Sequence, residues 1–178
     1  MTARPRLRKF ALTAHVVCSV GWLGAVGVFL ALSIAGLTSE DAQVVRGACL
    51  AMEAIGWFVL VPLSLASLLT GLVQALGTKW GLFRHYWVLA KLLINVSATI
   101  VLLLYMQSLG YLADLAAETS SSGVLGGLRS PSPTLHAAAA LLLLLVAAAL
   151  SVYKPRGMTR YGWRKQNEQR RHAEATTV

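Results

Sequence analysis

The sequence predicts an all-α integral membrane protein: a four-helix bundle with both termini in the cytoplasm. Three observations predict it. Residues are 56% hydrophobic and only 13% charged, where a soluble domain carries about a quarter charged residues. The apolar residues gather into four runs, each long enough to cross the hydrocarbon core of a bilayer, which takes about 20 helical residues. Lysine and arginine crowd onto one side of those runs. The predicted spans are about 10–37, 46–76, 85–112 and 135–153, within a transmembrane domain over 1–157. A basic cytoplasmic tail follows over 158–178.

The chain opens with Arg4, Arg6, Arg8 and Lys9, then a long apolar run. A signal peptide has an apolar stretch of only about 7–15 residues, so the run reads as a retained span. Thr38-Ser39-Glu40-Asp41 is a polar break with helix N-capping residues. The second span contains Pro62, which removes a backbone donor and predicts a kink. Gly77-Thr78-Lys79-Trp80-Gly81 reads as a short turn. The third span begins with Arg84-His85-Tyr86-Trp87-Val88-Leu89-Ala90-Lys91-Leu92-Leu93-Ile94-Asn95, a polar intrusion into an apolar helix. The region from Ala113 to Pro133, with Ser120-Ser121-Ser122-Gly123 and Ser130-Pro131-Ser132-Pro133, has turn composition. The fourth span is rich in alanine and leucine, and Lys154-Pro155-Arg156-Gly157 stops it.

Charge distribution gives the orientation. The N-terminal tail, the 77–84 turn and the C-terminal tail share Arg4, Arg6, Arg8, Lys9, Lys79, Arg84, Lys154, Arg156, Arg160, Arg164, Lys165, Arg170 and Arg171. The opposite side has Arg46 and Arg129 beside Glu40, Asp41, Asp114 and Glu118. Positive residues stay in the cytoplasm, which places both termini there. The net charge of +9 is thereby explained without nucleic acid. Trp80, Tyr86, Trp87, Tyr153, Tyr161 and Trp163 add an aromatic belt on that face. The basic tail suits anionic lipid headgroups.

Polar residues inside the spans are the candidate sites, since each costs free energy in lipid. His15 and Ser19 share a face with Trp22 and Val26 on the first helix. Thr70 and Gln74 lie at matching depth on the second, and His85, Lys91 and Asn95 on the third. Two imidazoles facing across a bundle can hold haem iron, and His15 with His85 is the pair on the cytoplasmic side. Lys91 is near enough to the headgroups to snorkel. Asn95 lies deeper and suits an interhelical hydrogen bond. On the other side, Glu53 with His136 suits a proton path or a divalent metal. Met52, Met106 and Cys49 lie at similar depth and would favour copper. Gly21, Gly24, Gly27, Gly56 and Gly71 predict close helix approach. Cys18 and Cys49 lie at different depths, against a disulfide.

The motifs H-x6-W-L-G (His15 to Gly24), Trp87-Val88-Leu89-Ala90-Lys91, Leu135-His136 and Val152-Tyr153-Lys154-Pro155-Arg156-Gly157 resemble those of small four-helix bacterial membrane proteins. These in turn are distantly similar to the copper-resistance D family. The resemblance implies haem or copper handling, with His15 and His136 as ligands and Trp22 and Gly24 as packing elements.

Three functions stay open. One is haem b or transition-metal binding through His15, His85 and His136, serving electron transfer or metal handling. The second is a non-catalytic membrane scaffold or accessory subunit, as a homo-oligomer or with a membrane partner. The third is a small transporter or proton carrier using Glu53, Lys91 and Asn95. No catalytic constellation is evident, and the segments outside the spans are too short for a separate catalytic domain.

Overall fold

The computed structural model describes residues 5–77, 83–118, 125–153 and 157–176. The described residues form helices α1 (Pro5–Thr38), α2 (Ala42–Ile55), α3 (Val61–Gly77), α4 (Tyr86–Glu118), α5 (Leu125–Leu128), α6 (Ser132–Tyr153) and α7 (Arg160–Thr176). Lys79, Trp80, Ser120-Ser121-Ser122-Gly123, Lys154 and Arg156 lie outside the described residues.

Four helical segments are long and apolar enough to cross a membrane: 9–38, 42–76, 86–118 and 132–153. The second is a single span made of α2, a π turn over Gly56–Leu60, and α3. The predicted kink takes this form. The Val61 amide donates to Gly56 O, five residues back. Pro62 follows at once and has no N–H to continue the ordinary ladder.

The second span starts at Ala42 rather than near Arg46, because Asp41 caps it and accepts from the Gln43 amide at 2.8 Å. α4 runs to Glu118 rather than to about Leu112, because Ala113 and Ala116 are buried there. The expected tail over 158–178 is largely the helix α7.

α1 packs against both halves of the second span and against α6, and α4 does the same from the other side. We call the end holding α7 the terminal end and the end holding α5 the loop end. The spans are unequal. α6 has 22 residues, or about 33 Å at 1.5 Å per residue, which matches one bilayer core. α4 has 33 residues, or roughly 50 Å, and would need a tilt of about 50° to fit inside the core, beyond the usual range.

At the terminal end α4 and α6 are level, since the Tyr86 amide donates to Gly157 O just past α6. At the loop end the start of α6 meets the middle of α4, where the Tyr105 hydroxyl donates to Ser132 Oγ at 3.2 Å. The surplus turns of α1, α2 and α4 therefore project past α6 at the loop end.

The hydrophobic core continues into that projection. Val45, Cys49, Met52, Leu109, Ala113, Ala116 and Leu128 are buried. Gly56 lies so close to Met106 that an added Cβ would fall 2.7 Å from its terminal methyl. Arg46 Nε donates to Ala116 O at 2.8 Å, and an Arg129 guanidinium nitrogen donates to Ser39 O at 2.6 Å. These bonds tie α2 to α4, and the segment before α6 to the α1–α2 turn.

The terminal end is looser. No described side chain is buried in α1 before Trp22, in α3 after Ser67, in α4 before Thr99 or in α6 after Ala147. Its closure comes from the segment leading into α7. The Thr159 amide donates to Arg84 O at 3.0 Å, and the Thr159 hydroxyl donates to Phe83 O while accepting from the Gly162 amide. A Cβ at position 162 would sit 2.5 Å from the Arg84 carbonyl oxygen. Only glycine fits that seat.

Candidate functional site

The polar residues of α3 fall on one arc of the helix. Ser64, Ser67, Thr70 and Gln74 recur at three- and four-residue steps, which keeps them on one side. The arc starts just after the π turn and runs towards the terminal end. Ser64, fully buried, donates to Val61 O at 2.9 Å and satisfies a carbonyl next to the helix break.

α1 meets this arc with His15 and Ser19, one turn apart. His15 Nδ1 lies 3.1 Å from Ser67 O and 3.1 Å from Thr70 Oγ1. Ser19 Oγ and Ser67 Oγ are 2.9 Å apart. The roles can be assigned. A carbonyl only accepts, so Nδ1 carries the proton and donates. The Thr70 hydroxyl donates to Ala66 O at 2.6 Å, which leaves its lone pairs to accept from Nδ1. In the neutral ring Nε2 then holds a lone pair.

Gly71 makes the contact between α1 and α3 possible. A Cβ there would lie 3.1 Å from His15 Cε1, so the imidazole lies flush against the α3 backbone. Gly21 also meets α3, at Leu63, whereas an added Cβ on Gly24 or Gly27 would touch nothing within 4 Å. Of Gly21, Gly24 and Gly27, Gly21 alone makes the close approach the sequence predicts, and Gly36 makes another, with an added Cβ 3.2 Å from that of Ala48.

Further donors border this face. Gln74 Nε2 and Thr99 Oγ1 are buried atoms that find no hydrogen-bond partner among the described residues. The Lys91 ammonium on α4 sits 5.8 Å from the centre of the Trp87 ring. Asn95 is half-buried one turn further in. The predicted set of His15, Ser19 and Thr70 is brought together. Ser67 is the member that sequence reasoning missed, although its three-residue spacing from Thr70 was a usable signal.

The other predicted residues stand elsewhere. His85 lies in the turn before α4, pairs in a β bridge with Met158, and has its ring centre 6.3 Å from that of Trp87. Glu53 faces α4, with Oε1 3.9 Å from where a Gly110 Cβ would be. His136 stands at the start of α6. Its Nδ1 lies 2.9 Å from Ser132 O, and its ring stacks on Tyr105 at 4.2 Å between centres. Among the described residues no three His, Cys, Asp or Glu side chains gather closely enough to hold a metal ion. Cys18 and Cys49 are free.

The fold and this face define a membrane-spanning helical bundle with a histidine-centred polar contact between its first two spans. No protein-family model, curated protein or solved structure matches the chain.

Proposed function

We propose that the protein is a small proton carrier of the bacterial inner membrane, with both termini in the cytoplasm and His15 as its working group. One observation carries the reading. A hydrogen-bonded polar face, His15–Ser67–Thr70 with Ser19, runs from a mid-span helix break to the loosely packed terminal end. Broken helices and ionisable residues in a membrane interior mark transport paths. The dry core at the loop end supplies the opposing barrier. His15 takes and releases a proton at Nε2, while Nδ1 stays on Ser67 O and holds the ring in place. The basic helix α7 rests on anionic headgroups.

The test is proton flux into liposomes containing the purified protein, driven by a potassium diffusion potential and read with a pH-sensitive dye. Wild type is expected to exceed protein-free liposomes, and His15→Ala to lose roughly tenfold or more of that flux. Ser151→Ala, on α6, whose hydroxyl bonds only Ala147 O of its own helix among the described residues, should retain it. Wild-type flux no faster than empty liposomes overturns the reading, as does a His15→Ala variant as fast as wild type.

A second reading, haem b or copper on His15, is favoured by the Nδ1 bond to the Ser67 carbonyl. Ligating imidazoles are typically oriented in that way. The resemblance to the copper-resistance D family points the same way. Protein purified under haem- and copper-replete conditions would then show a Soret band or bound copper, lost in His15→Ala. A colourless, metal-free preparation rejects it.

A further inference from the structure

A groove lies between α4 and α6 where α6 begins. Its upper part, of about 390 Å³, is lined by Tyr105, Ser108, Tyr111, Ser130 and Ser132 among others. Its lower part, of about 270 Å³, is lined by Val101, Leu104, Tyr105, Ser108 and His136. The two share Tyr105 and Ser108 and so form one continuous cleft.

The depth of the cleft follows from the unequal spans. α6 matches the bilayer core, so Ser132 and His136 mark the boundary between hydrocarbon and headgroups. Val101 and Leu104 then lie in hydrocarbon. Ser108, Tyr111 and Ser130 lie above the boundary, among headgroups. The cleft is polar at the interface and apolar below it, which is the profile of an amphiphile with its head at the surface and its tail in the membrane.

The lining specifies the head. Among the described residues no lysine or arginine lines either part of the cleft. The nearby Arg129 gives a guanidinium nitrogen to Ser39 O. An uncharged head would find hydroxyls, the Gln107 amide and two rings in the lining. The stacked Tyr105–His136 pair offers an aromatic surface. His136 adds directionality. Its Nδ1 faces the Ser132 carbonyl at 2.9 Å and must donate, so Nε2 of the neutral ring accepts. The side chain is exposed, and Nε2 is therefore placed to receive an O–H from the occupant.

We propose that this cleft binds an isoprenoid quinol. Its hydroxylated ring lies against Tyr105 and His136, one ring O–H donates to His136 Nε2, and the prenyl tail follows Val101 and Leu104 into the bilayer. The site is separate from the His15 face and does not depend on the carrier reading.

The test is equilibrium binding of decylubiquinol to the full chain in nanodiscs of uncharged lipid, alongside mass spectrometry of lipids retained by the purified protein. Saturable binding is expected. Decylubiquinone, which has no ring O–H to donate, should bind roughly three- to tenfold more weakly, the worth of one hydrogen bond. His136→Leu should weaken quinol binding by a similar factor and erase the preference for quinol. Ser108→Trp should block the cleft, and both variants should keep the wild-type melting temperature. The proposal is overturned if decylubiquinol does not saturate, if His136→Leu binds quinol as wild type does, or if a phospholipid is retained whose loss tracks Ser108→Trp. Should Ser108→Trp fail to fold, the His136→Leu comparison decides alone.

Discussion

The two ends of the bundle solve opposite packing problems. At the loop end, α1, α2 and α4 outrun α6 and must cover their own apolar surface, so Leu109, Val45 and Ala116 are almost fully buried. At the terminal end, in a bilayer, lipid would solvate the apolar side chains, and helices would need to meet only where polar groups require it. Contact there is concentrated at His15, Ser67 and Thr70. The hydrophobic effect drives burial only against water. Between helices in lipid that drive is absent, and close packing and hydrogen bonds take its place. The difference in packing density is what a change of solvent from water to lipid would produce.

The largest effect that can break this comparison is a cavity. Leu109→Ala should cost about 2–5 kcal/mol in unfolding free energy, the usual range for a buried leucine. Leu92→Ala, half-buried at the terminal end, should cost less than about 1 kcal/mol. Thermal unfolding in detergent measures both, and equal losses would refute the contrast. Next comes Arg46→Met, which removes the bond to Ala116 O and should cost about 1–2 kcal/mol, mostly from the carbonyl left without its donor.

At the terminal end the expected cost is smaller and shared. A double-mutant cycle of Ser19→Ala with Ser67→Ala should give a coupling energy of about 0.5–1.5 kcal/mol, as for other hydrogen bonds between membrane helices. It reads the hydroxyl pair that joins α1 to α3. His15→Ala with Thr70→Ala reads the imidazole directly. Coupling near zero in both cycles would show that the face does not hold α1 to α3. The smallest global effect belongs to Gly162→Ala. It should leave overall stability within about 0.5 kcal/mol while trypsin cleaves at Arg164 and Lys165 markedly faster, because the Cβ lifts α7 off the Arg84 carbonyl.

The terminal end was more legible in the sequence than the loop end. Polar residues in an apolar run announce themselves, so His15, Ser19, Thr70 and Lys91 could be named with no structure in hand. Their pairings could not, because the rotation of α1 against α3 depends on backbone carbonyls such as that of Ser67, which leave no sequence signal. The Ser67 side chain was passed over because a serine in a span commonly bonds its own helix. At the loop end, apolar composition looks alike whether it faces lipid or a protein core. The surplus turns of α4 therefore read as membrane span and loop. The helix α7 was missed because its sequence is strongly polar, and a charged helix with no apolar face resembles an unstructured tail.

The seat of Gly162 on Arg84 has a consequence for how the chain is made. Two membrane crossings, α4 and α6, separate these residues along the sequence. They can meet only when both crossings have been completed in opposite directions, which returns the chain to the side it left. A failed insertion of either helix would strand Thr159 and Gly162 across the bilayer from Phe83 and Arg84. The docked α7 is thus a mark of completed topology.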